Sequence, residues 1–193
     1  MAQLFGDFND EPVSSEEYLI LGFSPSSIPL QQRWRNNGLS ADFLADYLTT
    51  FFPCSDSDPN TIGRPAEIQS AVSYVANELL ENAMKFNDET SQYPISIQLQ
   101  LHSDRIVFRV TNSIPPQSVK TFQAYIQDLI HSDPQELYIN KLECNADDDF
   151  STTSGLGLLT MINDYIASLG WKFETVKKDP EVIAVTTMVQ LTV

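Results

Sequence analysis

The chain has 193 residues, 42% of them hydrophobic, with 26 acidic residues against 11 lysines and arginines and a formal net charge of −15. That balance argues against a phosphate-tracking nucleic-acid surface and against docking on anionic membrane, since both need a basic footprint. The length suits one domain with a real core, and no apolar run is long enough to span a bilayer.

No basic n-region followed by an apolar stretch opens the chain, so a cytoplasmic protein is expected. Cys54 and Cys144 lie far apart without metal spacing, and His102 and His131 have no Cys or His companion at ligand spacing. A reduced protein without a zinc site follows from that pattern.

Residues 1–17 are acidic and irregular (Asp7, Asp10, Glu11, Glu16, Glu17) and read as a flexible leader ahead of a single domain over 18–193. Residues 18–24 are short and apolar and read as a strand. A short helix is expected over 28–35, stopped by Asn36-Asn37-Gly38. Ser40 then caps a second helix whose apolar face is Phe43, Leu44, Tyr47, Leu48 and Phe51, with Pro53 ending it.

Residues 65–86 predict one long helix. Ile68, Val72, Val75, Leu79 and Ala83 recur at three- and four-residue spacing, which makes one buried face. Glu78, Asn82 and Lys85 form a second stripe at i, i+4 and i+7, so a carboxylate, an amide and an ammonium point one way. Read blandly, that stripe is a solvated face with a Glu81–Lys85 pair worth a few tenths of a kcal/mol.

Residues 93–112 alternate as an antiparallel hairpin: Ile95, Ile97, Leu99 and Leu101, then Ile106, Phe108 and Val110. A loop with Pro115 and Pro116 is expected over 111–116, then helices over 119–130 and 134–142. The acidic stretch 145–153 reads as mobile. Ser154-Gly155-Leu156-Gly157-Leu158-Leu159 enters a helix carrying Met161, Ile162, Tyr165 and Leu169, with Gly170 as its C′ residue. Strands over 171–176 and 182–193 close the chain. The order predicts an α+β two-layer sandwich, a mixed, mostly antiparallel sheet with helices on one face.

Glycines before a helix let backbone approach a phosphate, and the helix N-terminus offers free N–H groups. A lone Gly-x-Gly is weak and also fits a tight loop packed under a helix. The Glu-x-x-x-Asn helix, the hairpin and the Gly turn in that order are more specific. Residues 78–86 resemble the N box, and residues 154–159 the second glycine box, of the Bergerat-type (GHKL) ATPase and kinase superfamily of histidine kinases, gyrase B and MutL. The resemblance covers about residues 65–193.

The resemblance implies the Bergerat ATP-binding fold with ATP and Mg²⁺ as cofactors. Glu78 would be the general base. Asn82 would hold Mg²⁺ among phosphate oxygens, a suitable hard oxygen ligand. Lys85, Ser154, Gly155, Leu156, Gly157 and Leu158 would line the phosphates, and residues 115–153 would be the lid. The family reads adenine with an Asp followed by a Gly-rich turn. Here Asn112 stands for the Asp, and Ile114 and Pro116 stand where glycines would be. Asn112 can accept from the adenine amine only without charge assistance.

No His precedes His102, and no transducer domain follows, so among family members the small anti-sigma-factor or partner-switching serine/threonine kinases fit best. They imply a STAS-like or sigma-factor-like protein partner and allow a homodimer. The alternative is a nucleotide-free or weakly binding scaffold of the same fold.

Overall fold

The computed structural model describes residues 2–10, 17–25, 34–51, 64–147 and 156–193. Strands are β1 (Gln3–Gly6), β2 (Glu17–Phe23), β3 (Ile95–Leu101), β4 (Arg105–Ile114), β5 (Ser168–Lys178) and β6 (Glu181–Thr192). Helices are α1 (Trp34–Thr49), α2 (Arg64–Lys85), α3 (Val119–His131), α4 (Pro134–Asp147) and α5 (Gly157–Tyr165). The strands form one sheet in the order β1-β5-β6-β4-β3-β2, every pair antiparallel.

Strand periodicity sorts the two faces of that sheet. Ile97 and Leu99 of β3, Phe108 and Val110 of β4, Trp171 and Phe173 of β5, and Val185 and Val189 of β6 share one cluster. The cluster takes Leu44 and Leu48 from α1, Val72, Val75, Leu79, Leu80 and Ala83 from α2, Ile126 and Leu129 from α3, and Leu159 and Met161 from α5. Helices therefore cover this inner face, and the expected α+β architecture is what forms. The outer face shows Tyr18, Ile20, Gln98, Arg109, Thr111, Lys172 and Thr186.

The long central helix lies where its apolar spacing put it, with Val72, Val75, Leu79 and Ala83 all buried. Alongside it runs α1, held by Gln69 to Asp46 (2.7 Å) and Ser73 to Asp42 (3.0 Å) as well as by apolar contact.

Five expectations are corrected. Residues 1–17 are not wholly a loose leader: Gln3–Gly6 pair with β5, Phe5 stacking edge-on to Phe173 at 5.5 Å. Helix α1 runs through Asn36-Asn37-Gly38 instead of stopping there, because packing against α2 overrides weak local propensity, and Asn37 is buried. Phe43, expected on its apolar face, is exposed. Helix α5 ends at Tyr165, where Ile166 turns left-handed (φ 51°) and the Ala167 N–H donates to the Met161 carbonyl at 3.0 Å. Gly170 is therefore a strand residue of β5, opposite Gly6 and Met188. Finally, β4 keeps its ladder with β6 through Asn112↔Val185, Ser113↔Ala184 and Ile114↔Ile183, so the loop expected from residue 111 begins only at Pro115.

In the expected lid, α3 buries Ile126 and Leu129 in the core and sets Phe122 edge-on to Phe173, ring centroids 5.7 Å apart. Helix α4 meets α5, where Asn163 donates to the Pro134 carbonyl at 3.2 Å. Cys54, the side chain of Cys144 and residues 148–155, which include Ser154 and Gly155, lie outside the described residues. No described helix is long and apolar enough to cross a membrane.

Candidate functional site

The candidate site grows from α2, whose buried stripe fixes the direction of its polar one. Glu78 and Asn82 are half-buried, one turn apart, and Lys85 is exposed at the last turn with its Nζ 5.5 Å from the Phe86 ring centroid. Beside them Asn77 donates to the Glu81 carboxylate at 3.1 Å, so Glu81 is held to its own helix.

Glu78 meets the first residue of α5. A Cβ added to Gly157 would overlap the Glu78 carboxylate, whose Cδ lies 3.0 Å from that position. Any side chain at 157 would have to push the Glu78 carboxylate aside, and the first turn of a helix carries N–H groups without intrahelical partners and a partial positive charge. Leu156 precedes the helix and Leu158 packs into the core behind it. The two sequence motifs, about eighty positions apart, thus meet at one point.

Burial raises the Glu78 carboxyl above its ordinary value, and the neighbouring Glu81 charge adds to the rise. One turn earlier Tyr74 stacks on Tyr165 with ring centroids 5.3 Å apart. Burial raises the Tyr74 phenol, and Glu78 charge adds to that, while a hydrogen bond with Thr160 opposes it. Tyr74, Thr160 and Tyr165 thus seat α5 on α2 and fix Gly157 against Glu78. Sequence reasoning missed them, although the Tyr74–Glu78 spacing of four was visible.

Asn112 belongs to a different set of contacts. It is buried on the inner face of β4, and its Nδ2 donates to the Ser113 carbonyl at 2.9 Å. That carbonyl also accepts from the Asp88 N–H at 3.0 Å. The Ser113 hydroxyl donates to Asn87 Oδ1 at 3.1 Å, and Asn87 Nδ2 to the Asp88 carbonyl at 3.1 Å. Asp88 in turn holds the Thr90 N–H and hydroxyl at 2.9 and 2.7 Å. The network pins the exit of α2 to the end of β4. Sequence reading overlooked Asn87, Asp88 and Ser113, although Asn-Asp-x-Thr after a helix is a recognisable side-chain turn.

No protein-family model and no curated protein matches the chain. Among solved structures it is similar to a chain of one titled "The crystal structure of SiaB-SiaC complex from Pseudomonas aeruginosa". The TM-score is 0.55 at 15% identity, over 91% of this chain and 89% of that one. The chain therefore shares its overall fold with a component of a two-protein complex, at an identity that speaks to the fold alone.

Proposed function

We propose that this chain is a partner-switching regulatory protein on a Bergerat-type ATP-binding fold. It acts as a stand-alone serine/threonine kinase toward a small STAS-like or sigma-factor-like protein. The observation that carries the reading is the close approach of Glu78 to Gly157, which puts a carboxyl of raised proton affinity against the first residue of α5. The chain of similar fold was solved as part of a complex of two proteins, which supports a protein partner.

At this end the residues fit a nucleotide. Asn82 would supply an oxygen suited to Mg²⁺ beside phosphates, Gly157 with Leu156 and Leu158 would supply backbone N–H groups, and Lys85, at the last turn of α2, would lie near the phosphates. When bound, ATP would furnish the transferable phosphoryl group. Glu78 would take the proton from a Ser or Thr hydroxyl, a role its raised proton affinity suits.

The adenine end fits less well and supports the second reading, a scaffold with little or no nucleotide binding. Asn112 is buried with its Nδ2 tied to the Ser113 carbonyl, which fixes its amide within the β4 network, and β4 continues as strand where the family has a glycine turn.

Calorimetry with millimolar ATP, with and without Mg²⁺, separates the two. The kinase reading expects weak Mg²⁺-dependent binding that survives Glu78→Gln, while turnover of ATP falls about 10²- to 10⁴-fold, the usual worth of a general base. No heat under either condition would reject it in favour of the scaffold. Unchanged turnover in Glu78→Gln would reduce Glu78 to a packing residue.

A further inference from the structure

The outer face of the sheet carries a polar feature on the side away from Glu78. Strands β1 and β2 lie at opposite edges, so the chain between Gly6 and Glu17 connects one edge to the other. Its described part passes over the outer face. The Phe8 backbone lies on Gly170, where any Cβ would overlap it. The Asn9 carbonyl accepts from Arg109 Nη2 at 3.2 Å, and the Asp10 carboxylate accepts from Lys172 Nζ at 3.0 Å. Beneath this strap is a cavity of about 360 Å³, walled by Gln98, Gln100, Arg109, Thr111, Lys172 and Thr186 among others.

Three observations give the cavity a sign. Arg109 is half-buried, yet its hydrogen bonds go to two neutral acceptors, Gln100 Oε1 and the Asn9 carbonyl. Among the described residues no carboxylate lies within ion-pair distance of it; the Asp10 charge acts on it only from farther off, and burial still outweighs that support. Gln100 is only 2% exposed and its Nε2 has no partner, which leaves a buried donor unused beside the guanidinium. The Thr111 and Thr186 hydroxyls lie 2.9 Å apart, so one donates to the other and a second O–H remains to donate elsewhere. The wall is rich in donors. Of the nearby acids, Asp10 and Glu174 both face Lys172.

We propose that this cavity binds a small oxyanion, a carboxylate or phosphate group, held by Arg109, Gln100 and Lys172, with Asp10 as its competitor within the chain. An oxyanion there would supply a close anionic partner for Arg109 and the missing acceptor of Gln100 together. Arg guanidinium is well matched to both oxyanion types, since its fork can pair with two oxygens. Asp10 holds Lys172 from an exposed strap, so an incoming anion would displace a weak surface pair.

The test is a titration of the full chain with inorganic phosphate and, separately, with malonate, each against chloride at equal ionic strength. Heat and the Gln100 side-chain amide resonance are followed together. Saturable binding of either anion with a shifted Gln100 amide supports the site, and the arm that responds names the chemistry. Asp10→Asn should tighten binding about fivefold, the scale of one exposed ion pair. Arg109→Gln should weaken it at least about tenfold, with Arg109→Lys in between, as expected when a charged hydrogen-bond partner is lost. If Arg109→Gln does not fold, Gln100→Met serves in its place and should weaken binding several-fold. No response to either anion in wild type and Asp10→Asn overturns the proposal, as does wild-type affinity in the folded Arg109→Gln or Gln100→Met. Glu78→Gln, on the other face, should bind the anion as wild type does, so this outcome is independent of the kinase reading.

Discussion

At Gly157 the backbone of α5 comes so close to the Glu78 carboxylate that an added Cβ would have to push it aside. At Asn112, the position matched to the family's adenine-reading Asp, β4 stays in ladder register with β6 as far as Ile114, and its polar groups bond to one another through Ser113, Asn87 and Asp88. At the first, a carboxyl of raised proton affinity lies against the first residue of a helix. At the second, the Asn112 amide, the Ser113 hydroxyl and the Asn87 amide all donate within the chain. The two regions, one on α2 and one past its exit, thus differ in how far their polar groups are tied to one another, and that difference bears on enzyme against scaffold.

The largest structural effect should come from the element both ends share. Leu80 is fully buried where α2 meets the core. Leu80→Ala should cost about 2–5 kcal/mol, read as a drop in the urea midpoint. Its destabilisation should loosen the Glu78 and Asn112 ends alike. Amide exchange that quickens at only one end would show that the two ends are anchored separately.

Asn112→Asp tests the closed end. The substitution swaps the donating Nδ2 for an acceptor facing the Ser113 carbonyl in a buried site. The nucleotide-free protein should lose about 1–3 kcal/mol, the cost of leaving buried polar groups mispaired. If ATP then protects the variant more than it protects wild type, the position reads adenine as the family's Asp does. Equal protection would make Asn112 a purely structural clasp.

Much of this frame was legible in the sequence. The apolar spacing of α2 and the alternation of β3 and β4 are local patterns, and local periodicity survives in the fold. What was illegible depended on partners distant in sequence. Asn36-Asn37-Gly38 reads as a stop, yet packing against α2 carries α1 through it. The tract 111–114 reads as a loop until β6 pairs with it. Gln3–Gly6 has no strand signature of its own and is a strand only because β5 presents an edge. At the candidate site, Glu78 and Gly157 could be named from motifs, whereas the Asn87–Asp88–Ser113 network and the Arg109–Gln100 pair exist only after the sheet has formed.

The open end can be sharpened by a double-variant cycle. Gly157→Ala forces the Glu78 carboxylate aside, and the added methyl also favours the helix, so its own effect on stability should be small. In the background of Glu78→Ala the clash is gone and only the helix gain remains. The coupling between the two positions should therefore be about 0.5–1.5 kcal/mol, within the range for contacting residues, as read from urea midpoints of the four proteins. Additive effects would mean that Glu78 swings away from α5 at no cost and that their contact is incidental.

The smallest effect concerns the charge on Glu78. Burial, reinforced by Glu81, makes the folded protein hold this proton to higher pH than the unfolded chain does. Below the ordinary carboxyl range both states are protonated and the group contributes nothing to pH dependence. As pH rises through that range and then through the raised folded value, the folded state must accept an ionised carboxylate it disfavours, and stability falls. Solvent reaches half-buried Glu78, so the loss should stay below about 1 kcal/mol. Urea midpoints of wild type and Glu78→Gln between about pH 4 and pH 8 read it directly, because the amide has no proton to lose over that range. Wild type should weaken relative to the variant as pH rises. The opposite trend would mean that the N–H groups of α5 favour the carboxylate more than burial opposes it. Glu78 would then be acting as the resident anion at Gly157 rather than as a base waiting for a proton.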